Sequence, residues 1–251
     1  MILDNLEARL KKNGTLEAFN KDTAEIDEDV RNLLKLLFGV ASELDNAKQE
    51  YVIHGGYAVL VHLADCLGTK AIPKWRGSHD LDLVANERIV TMLKSYLNIL
   101  SDRESQRVKG KRTLKVLLEE SEKPYKLDLR MIEQFADDSA ETYRGEVDTL
   151  TVYGISVRVP KLMRLLKDKL SVSRNLERDN VDILNLIGVL YLRKTPAERV
   201  IGGLDLKERK RLYSLIAADS AKEKFIKENV LIEVSDKYLL RFKKQLKKRI
   251  K

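Results

Sequence analysis

The stretch from Tyr51 to Leu83 constrains this chain more than any other. An apolar run, Tyr51-Val52-Ile53, leads into His54-Gly55-Gly56-Tyr57. Apolar residues at helical spacing follow: Ala58, Val59, Leu60, Leu63 and Leu67. The pattern predicts a strand, a tight turn and a helix N-terminus. Glycine in such a turn permits positive φ and lets a ligand approach the main chain. The free N–H groups and dipole at the helix start favour phosphate. Asp80-Leu81-Asp82-Leu83 then alternates strictly. On a strand both carboxylates face one way and both leucines the other. An anion-binding turn beside paired carboxylates suits Mg²⁺ (or Mn²⁺) and a nucleoside triphosphate. Arg76 and Ser78, just before the acids, offer a guanidinium and a hydroxyl for the triphosphate. An ion pair with a nearby carboxylate is the other reading of Arg76.

A third acid has the right alternation. Tyr125 to Arg130 reads as a strand with Leu127, Leu129 and Met131 on one face and Lys126, Asp128 and Arg130 on the other. Asp128 is therefore a candidate to complete a metal site with Asp80 and Asp82 and to accept the proton of an attacking hydroxyl. A polar residue facing solvent on an edge strand is the alternative. Further on, Lys161 to Leu176 has helical periodicity, with Leu162, Leu165, Leu166, Leu170 and Leu176 as its apolar face. Lys169 falls within that face, where an ammonium needs an anionic partner.

Gly55-Gly56, a helix, and then Arg76-x-Ser78-x-Asp80-Leu81-Asp82-Leu83 resemble the nucleotidyltransferase superfamily, in the branch of the AbiEii-type toxins of toxin–antitoxin systems. Lys169-Leu170-x-x-Ser173-Arg174 followed by Asp179-x-x-Asp182 is similar to that family's distal motif. The resemblance covers roughly residues 51–192. It implies a metal-dependent transfer of an NMP group from an NTP to an acceptor hydroxyl, with a tRNA 3′ end or another RNA as candidate acceptor, and a cognate antitoxin as partner. It implies catalytic roles for Asp80, Asp82, Asp128 and Lys169, with the three acids as metal ligands. Gly55, Gly56, Arg76, Ser78, Arg174, Asp179 and Asp182 are then nucleotide-binding, and Lys167 rivals Lys169 as phosphate ligand. One departure stands out: the turn is Gly-Gly-Tyr, without the serine that many members use, and Ser78 is its candidate substitute. A catalytically inactive nucleotidyltransferase-like module binding RNA or protein is the competing reading.

The expected fold is α+β: a small mixed β-sheet nucleotidyltransferase core flanked by helices, then a helical C-terminal half. Three segments follow: a helical cover at 1–50, the core at 51–159 and a helical domain at 160–251. Residues 1–25 are mixed and polar with a turn at Asn13-Gly14, and Asp27 to Lys48 is a helix. A helix is expected from Asn86 to Leu100 with Asn86 as N-cap, and a hairpin over Glu104–Leu118 with Lys109-Gly110-Lys111 as its basic tip, a solvated turn or else a contact for nucleic acid. Val147–Val152 and Ile155–Val159 form a second hairpin. Asp179 is the expected N-cap of a helix over Val181–Tyr191, and helices follow at Asp205–Ala218 and Ala221–Val230. His54 reads as an ordinary strand residue, and His62 as a half-exposed helical one. With 251 residues, 43% of them hydrophobic, a proper core is affordable. No apolar run approaches a membrane span of about 20 residues, and Met1 to Lys12 lacks a signal-peptide core. A lone Cys66 excludes an intrachain disulfide and fits a reducing cytoplasm. The net charge of +8 permits nucleic acid as a partner. Lys237 to Lys251 is a basic amphipathic helix, with Leu239, Phe242, Leu246 and Ile250 on one side. Its cations could hold RNA phosphates, an acidic partner or a membrane surface.

Overall fold

The computed structural model describes residues 2–106, 108–119, 121–132, 145–172, 177–217 and 224–250. The polar-looking N-terminus is helical: α1 (Ile2–Asn13) buries Ile2, Leu6 and Leu10, and α2 (Leu16–Thr23) buries Phe19. Four-residue spacing puts the three apolar residues of α1 on one narrow stripe, which composition alone conceals. The expected turn lies at Asn13-Gly14, where the Asn13 amide donates to the carbonyls of Tyr153 and Gly154. Helix α3 (Glu28–Asn46) is capped by Asp27, whose carboxylate accepts from the Asp29 and Val30 amides.

Strand β1 (Val52–His54) runs straight into α4 (Gly55–Leu67). Strand β2 (Asp80–Ala85) follows, then α5 (Glu87–Tyr96), with the Asn86 side chain capping the Ile89 amide. Helix α5 stops short of Leu100, correcting the expected span. Leu97 turns extended and Asn98–Glu104 forms β3, because a ladder to β4 (Lys111–Leu117) outweighs local helical spacing. The expected hairpin therefore starts six residues early. With β5 (Tyr125–Met131), these strands make one mixed sheet in the order β1-β2-β5-β4-β3. Only the β2–β5 pair is parallel. Asp128 thus sits on a central strand, not an edge. Strands β6 (Val147–Val152) and β7 (Ile155–Pro160) form the second hairpin, with Tyr153 and Gly154 both at positive φ in the turn.

The helical half begins with α6 (Leu162–Ser171) and α7 (Glu177–Leu192). Helix α7 is under way by Glu177, so Asp179 lies in its first turn rather than at the N-cap. Helices α8 (Ala197–Gly202), α9 (Leu206–Ala217), α10 (Lys224–Asn229) and α11 (Asp236–Ile250) complete the fold. Asp205 and Glu208 cap α9 reciprocally: each side chain accepts from the other's amide, at 2.8 and 2.7 Å. Helix α11 packs on α8 and α9, burying Phe242 and Leu246, with Lys237, Lys244 and Lys248 facing outward. One hydrophobic cluster extends from Ile2 to Leu246. Inside it, His62 is fully buried rather than half exposed, its Nε2 2.9 Å from the Pro160 carbonyl. Among the described residues no helix is long and apolar enough to cross a membrane.

Candidate active site

The strand-to-helix turn brings a carboxylate against the main chain. Gly55 has φ of 67°, and a Cβ added there would lie 2.1 Å from Asp82 Oδ2. Only glycine allows both the conformation and this approach. Register then lines up the polar face of the sheet. His54 on β1 lies opposite Asp82 on β2, Asp82 opposite Asp128 on β5, and Asp128 opposite Thr113 on β4. Asp80 lies opposite Lys126. The leucines at 81, 83, 127 and 129 occupy the buried face, as the alternation requires.

Above this row lies a cavity of about 600 Å³ between the sheet and helices α6 and α7. It gathers Gly55, Gly56, Arg76, Ser78, Asp80, Asp82, Asp128, Lys169 and Asp179. Asp182 lies just behind, with no exposure at all. It takes Arg76 Nε and Nη2 at 3.2 and 2.7 Å and Lys169 Nζ at 2.6 Å. The anionic partner that Lys169 needs is therefore Asp182, and Arg76 has its ion pair at the same carboxylate. The Arg76 guanidinium also stacks on the Trp75 ring, 5.6 Å from its centroid. Lys167 is half-buried on α6 and is not among the lining residues. Arg174 lies outside the described residues.

The three candidate acids differ sharply. Asp82 is half-buried, and among the described residues no hydrogen bond or ion pair engages its carboxylate. Burial, and then the neighbouring Asp80, push its carboxyl above the ordinary value of 3.8, against the pull of His54 and Arg130. Asp80 accepts a hydrogen bond from Ser78 Oγ at 3.3 Å, and Lys126 Nζ stands 3.6 Å away. Asp128 is saturated: Lys126 and Lys111 reach Oδ2 at 2.7 and 2.8 Å, and Thr113 Oγ1 donates to Oδ1 at 2.7 Å. Burial raises its carboxyl, but those three hydrogen bonds together hold it below 3.8.

Hard, like-charged oxygens on Asp80 and Asp82 fit a divalent cation. Asp128 as it stands is engaged by its lysines. Among the described residues, no three His, Cys, Asp or Glu side chains are gathered to hold a metal ion.

The structure also brings in residues that sequence reasoning passed over. His54 Nε2 lies 3.0 Å from Asp168 Oδ2 inside the cavity, and Arg164 flanks the same carboxylate. Asp168 had a signal: it stands three residues beyond Leu165 and one before Lys169, so it borders the same helical face. Lys111, read as a turn residue, reaches back to Asp128. No local pattern announces that contact.

No family model matches the chain, and no curated protein sequence matches it. Solved structures do. A candidate nucleotidyltransferase from Helicobacter pylori is 17% identical, with a TM-score of 0.51, covering 90% of this chain and 97% of its own. JHP933 from Helicobacter pylori gives the same identity and TM-score, over 90% and 95%. An antigenic nucleotidyltransferase-like protein from Paracoccidioides brasiliensis is 16% identical, with a TM-score of 0.52, over 81% and 94%. The chain has the fold of these nucleotidyltransferase-type structures.

Proposed function

We propose that this chain is a metal-dependent nucleotidyltransferase that moves an NMP group from an NTP to an acceptor hydroxyl. The acceptor is an RNA end, of tRNA in the fullest version, and the setting is the cytoplasm and a toxin–antitoxin pair of the AbiEii type. One observation carries the reading: the Asp82 carboxylate is packed on the Gly55 turn, engaged by no hydrogen bond or ion pair among the described residues, with Asp80 beside it on the cavity face. The Arg76-to-Leu83 motif and the Lys169–Asp182 motif support the toxin branch, and an antitoxin protein is the partner that this branch calls for.

In this reading, Gly55, Gly56 and the N-terminus of α4 receive phosphate oxygens. Asp80 and Asp82 hold Mg²⁺ or Mn²⁺, which when bound neutralises charge developing at the α-phosphate. Arg76 and Lys169, pinned by Asp182, keep a net positive charge at the cavity edge for the triphosphate. Ser78 orients Asp80. The acceptor oxygen attacks the α-phosphorus and pyrophosphate leaves; Asp128, ionised beside its lysines until that step, takes the acceptor proton.

The lysine clamp on Asp128 is the specific observation favouring the second reading, an inactive nucleotidyltransferase-like binding module. Incubation with each α-labelled NTP, Mg²⁺ and total tRNA separates the two. Label on RNA in wild type and none with Asp80→Ala supports the transferase. Intact NTP binding with label on nothing selects the module.

A further inference from the structure

The carboxylate face of the sheet continues beyond the cavity, across β4 to β3. Residues directly opposite in a ladder point to the same face. Arg130 on β5 lies opposite Lys111 on β4, and Lys126 opposite Lys115. Thr113, the partner of Asp128, lies opposite Arg103 on β3. Arg103, Lys111, Lys115, Lys126 and Arg130 therefore share one face with Asp128, whose charge Lys111 and Lys126 already meet. The neighbouring acid Asp102 faces the other way and binds Lys94 and Arg112.

Two of these pairings set cation directly against cation, Lys115 against Lys126 and Lys111 against Arg130. Like charges directly opposite destabilise a sheet. Arg103, Lys115 and Arg130 are exposed, and among the described residues no ion pair engages them. Five cations around the single acid Asp128 leave this part of the face with a surplus of positive charge that matches a polyanion. Lys111, Lys126 and Arg130 line the cavity, so the strip leads outward from Asp80 and Asp82 to Lys115 and Arg103. At about 4.8 Å per strand it extends roughly 10 Å from β5 to β3. The facing positions 101, 103, 111, 113, 115, 126, 128 and 130 carry no aromatic side chain. The fit is thus to phosphates and not to stacked bases. Helix α11 is as basic, but it packs on α8 and α9 and lines no part of the cavity.

We propose that the open face of β3, β4 and β5 is a track for the phosphate backbone of a single-stranded RNA end, leading its terminal hydroxyl to Asp80 and Asp82. This rests on the transfer reading above. The test uses the full chain and a 5′-labelled single-stranded RNA dodecamer, with affinity measured by fluorescence anisotropy over a salt series. Arg103→Gln/Lys115→Gln is compared with wild type and with Lys237→Gln/Lys244→Gln/Lys248→Gln. Both track residues lie outside the cavity, so binding of labelled NTP with Mg²⁺ is expected to be unchanged. The track variant should bind RNA several-fold more weakly, with a log–log salt slope shallower by about 1.4, at about 0.7 per phosphate contact. The tail variant should match wild type. Equal affinity and slope in the track variant and wild type would overturn the proposal. So would a loss confined to the tail variant, or no RNA binding by wild type. Nucleotidyl labelling by wild type is measured alongside. Transfer that persists with an unaltered track variant removes the track and keeps the enzyme. Absent transfer removes the enzyme, while the salt slope still decides the track.

Discussion

Asp82 and Asp128 stand directly opposite each other on β2 and β5, in opposite surroundings. On the β2 side, Asp80 and Asp82 crowd two carboxylates against a glycine turn with little compensating charge. On the β5 side, Lys111, Lys126 and Arg130 outnumber the single acid. The helix wall offers a third arrangement, a buried Asp182 shared by Arg76 and Lys169. The difference teaches which charge each side suits: a cation at β2, an anionic chain at β5, and neither at Asp182, whose charge is met from within.

The sharpest way to break this comparison is to remove the compensated carboxylate. Asp182→Ala leaves two cations buried without a partner and should cost about 3–5 kcal/mol in chemical denaturation. A loss under 1 kcal/mol would mean that the cluster is not buried as described. Asp80→Ala should do the reverse. Transfer should fall by about 10²-fold or more, with the melting temperature unchanged or raised, because like-charge repulsion is relieved. Activity near wild type in a radiolabel assay would remove Asp80 from the site. Gly55→Ala should cost roughly 1–2 kcal/mol from the positive φ alone, and more from the clash with Asp82; a thermal melt checks it.

The smallest effects are the most diagnostic. Asp128 has a depressed folded value, so its stabilisation is present above pH 3.8 and lost as pH falls through that lower value. Asp128→Asn should therefore melt lower than wild type at pH 7, with the gap closing below pH 3.8. Asp82 has a raised value, so ionisation weakens the fold as pH climbs from 3.8 through it. Asp82→Asn should melt higher than wild type at pH 7 and converge with it toward pH 3.8. If both asparagine variants shift in the same direction, the contrast between the strands does not hold.

What the sequence disclosed follows from range. Strand β2 is legible because alternation is a property of neighbours, and so is the Asn86 cap. The glycine turn announces itself for the same reason. Strand β3 hides behind a helical pattern because its reward, the ladder to β4, lies elsewhere in the chain. The amphipathic stripe of α1 is three residues wide and lost among charges. The site divides likewise. The acids of the sheet show in their spacing, whereas the His54–Asp168 pair and the Lys111–Asp128 contact belong to no motif.

Arg76 meets Asp182 across 106 residues of chain, and His54 meets Asp168 across 114. During translation, then, the sheet wall exists before its lid of helices has been made. At about 5–20 residues per second, roughly 5–20 s separate the emergence of Arg76 from that of Asp182. A ribosome-bound chain of that age has its acids and its glycine turn, but no closed chamber in which to use them.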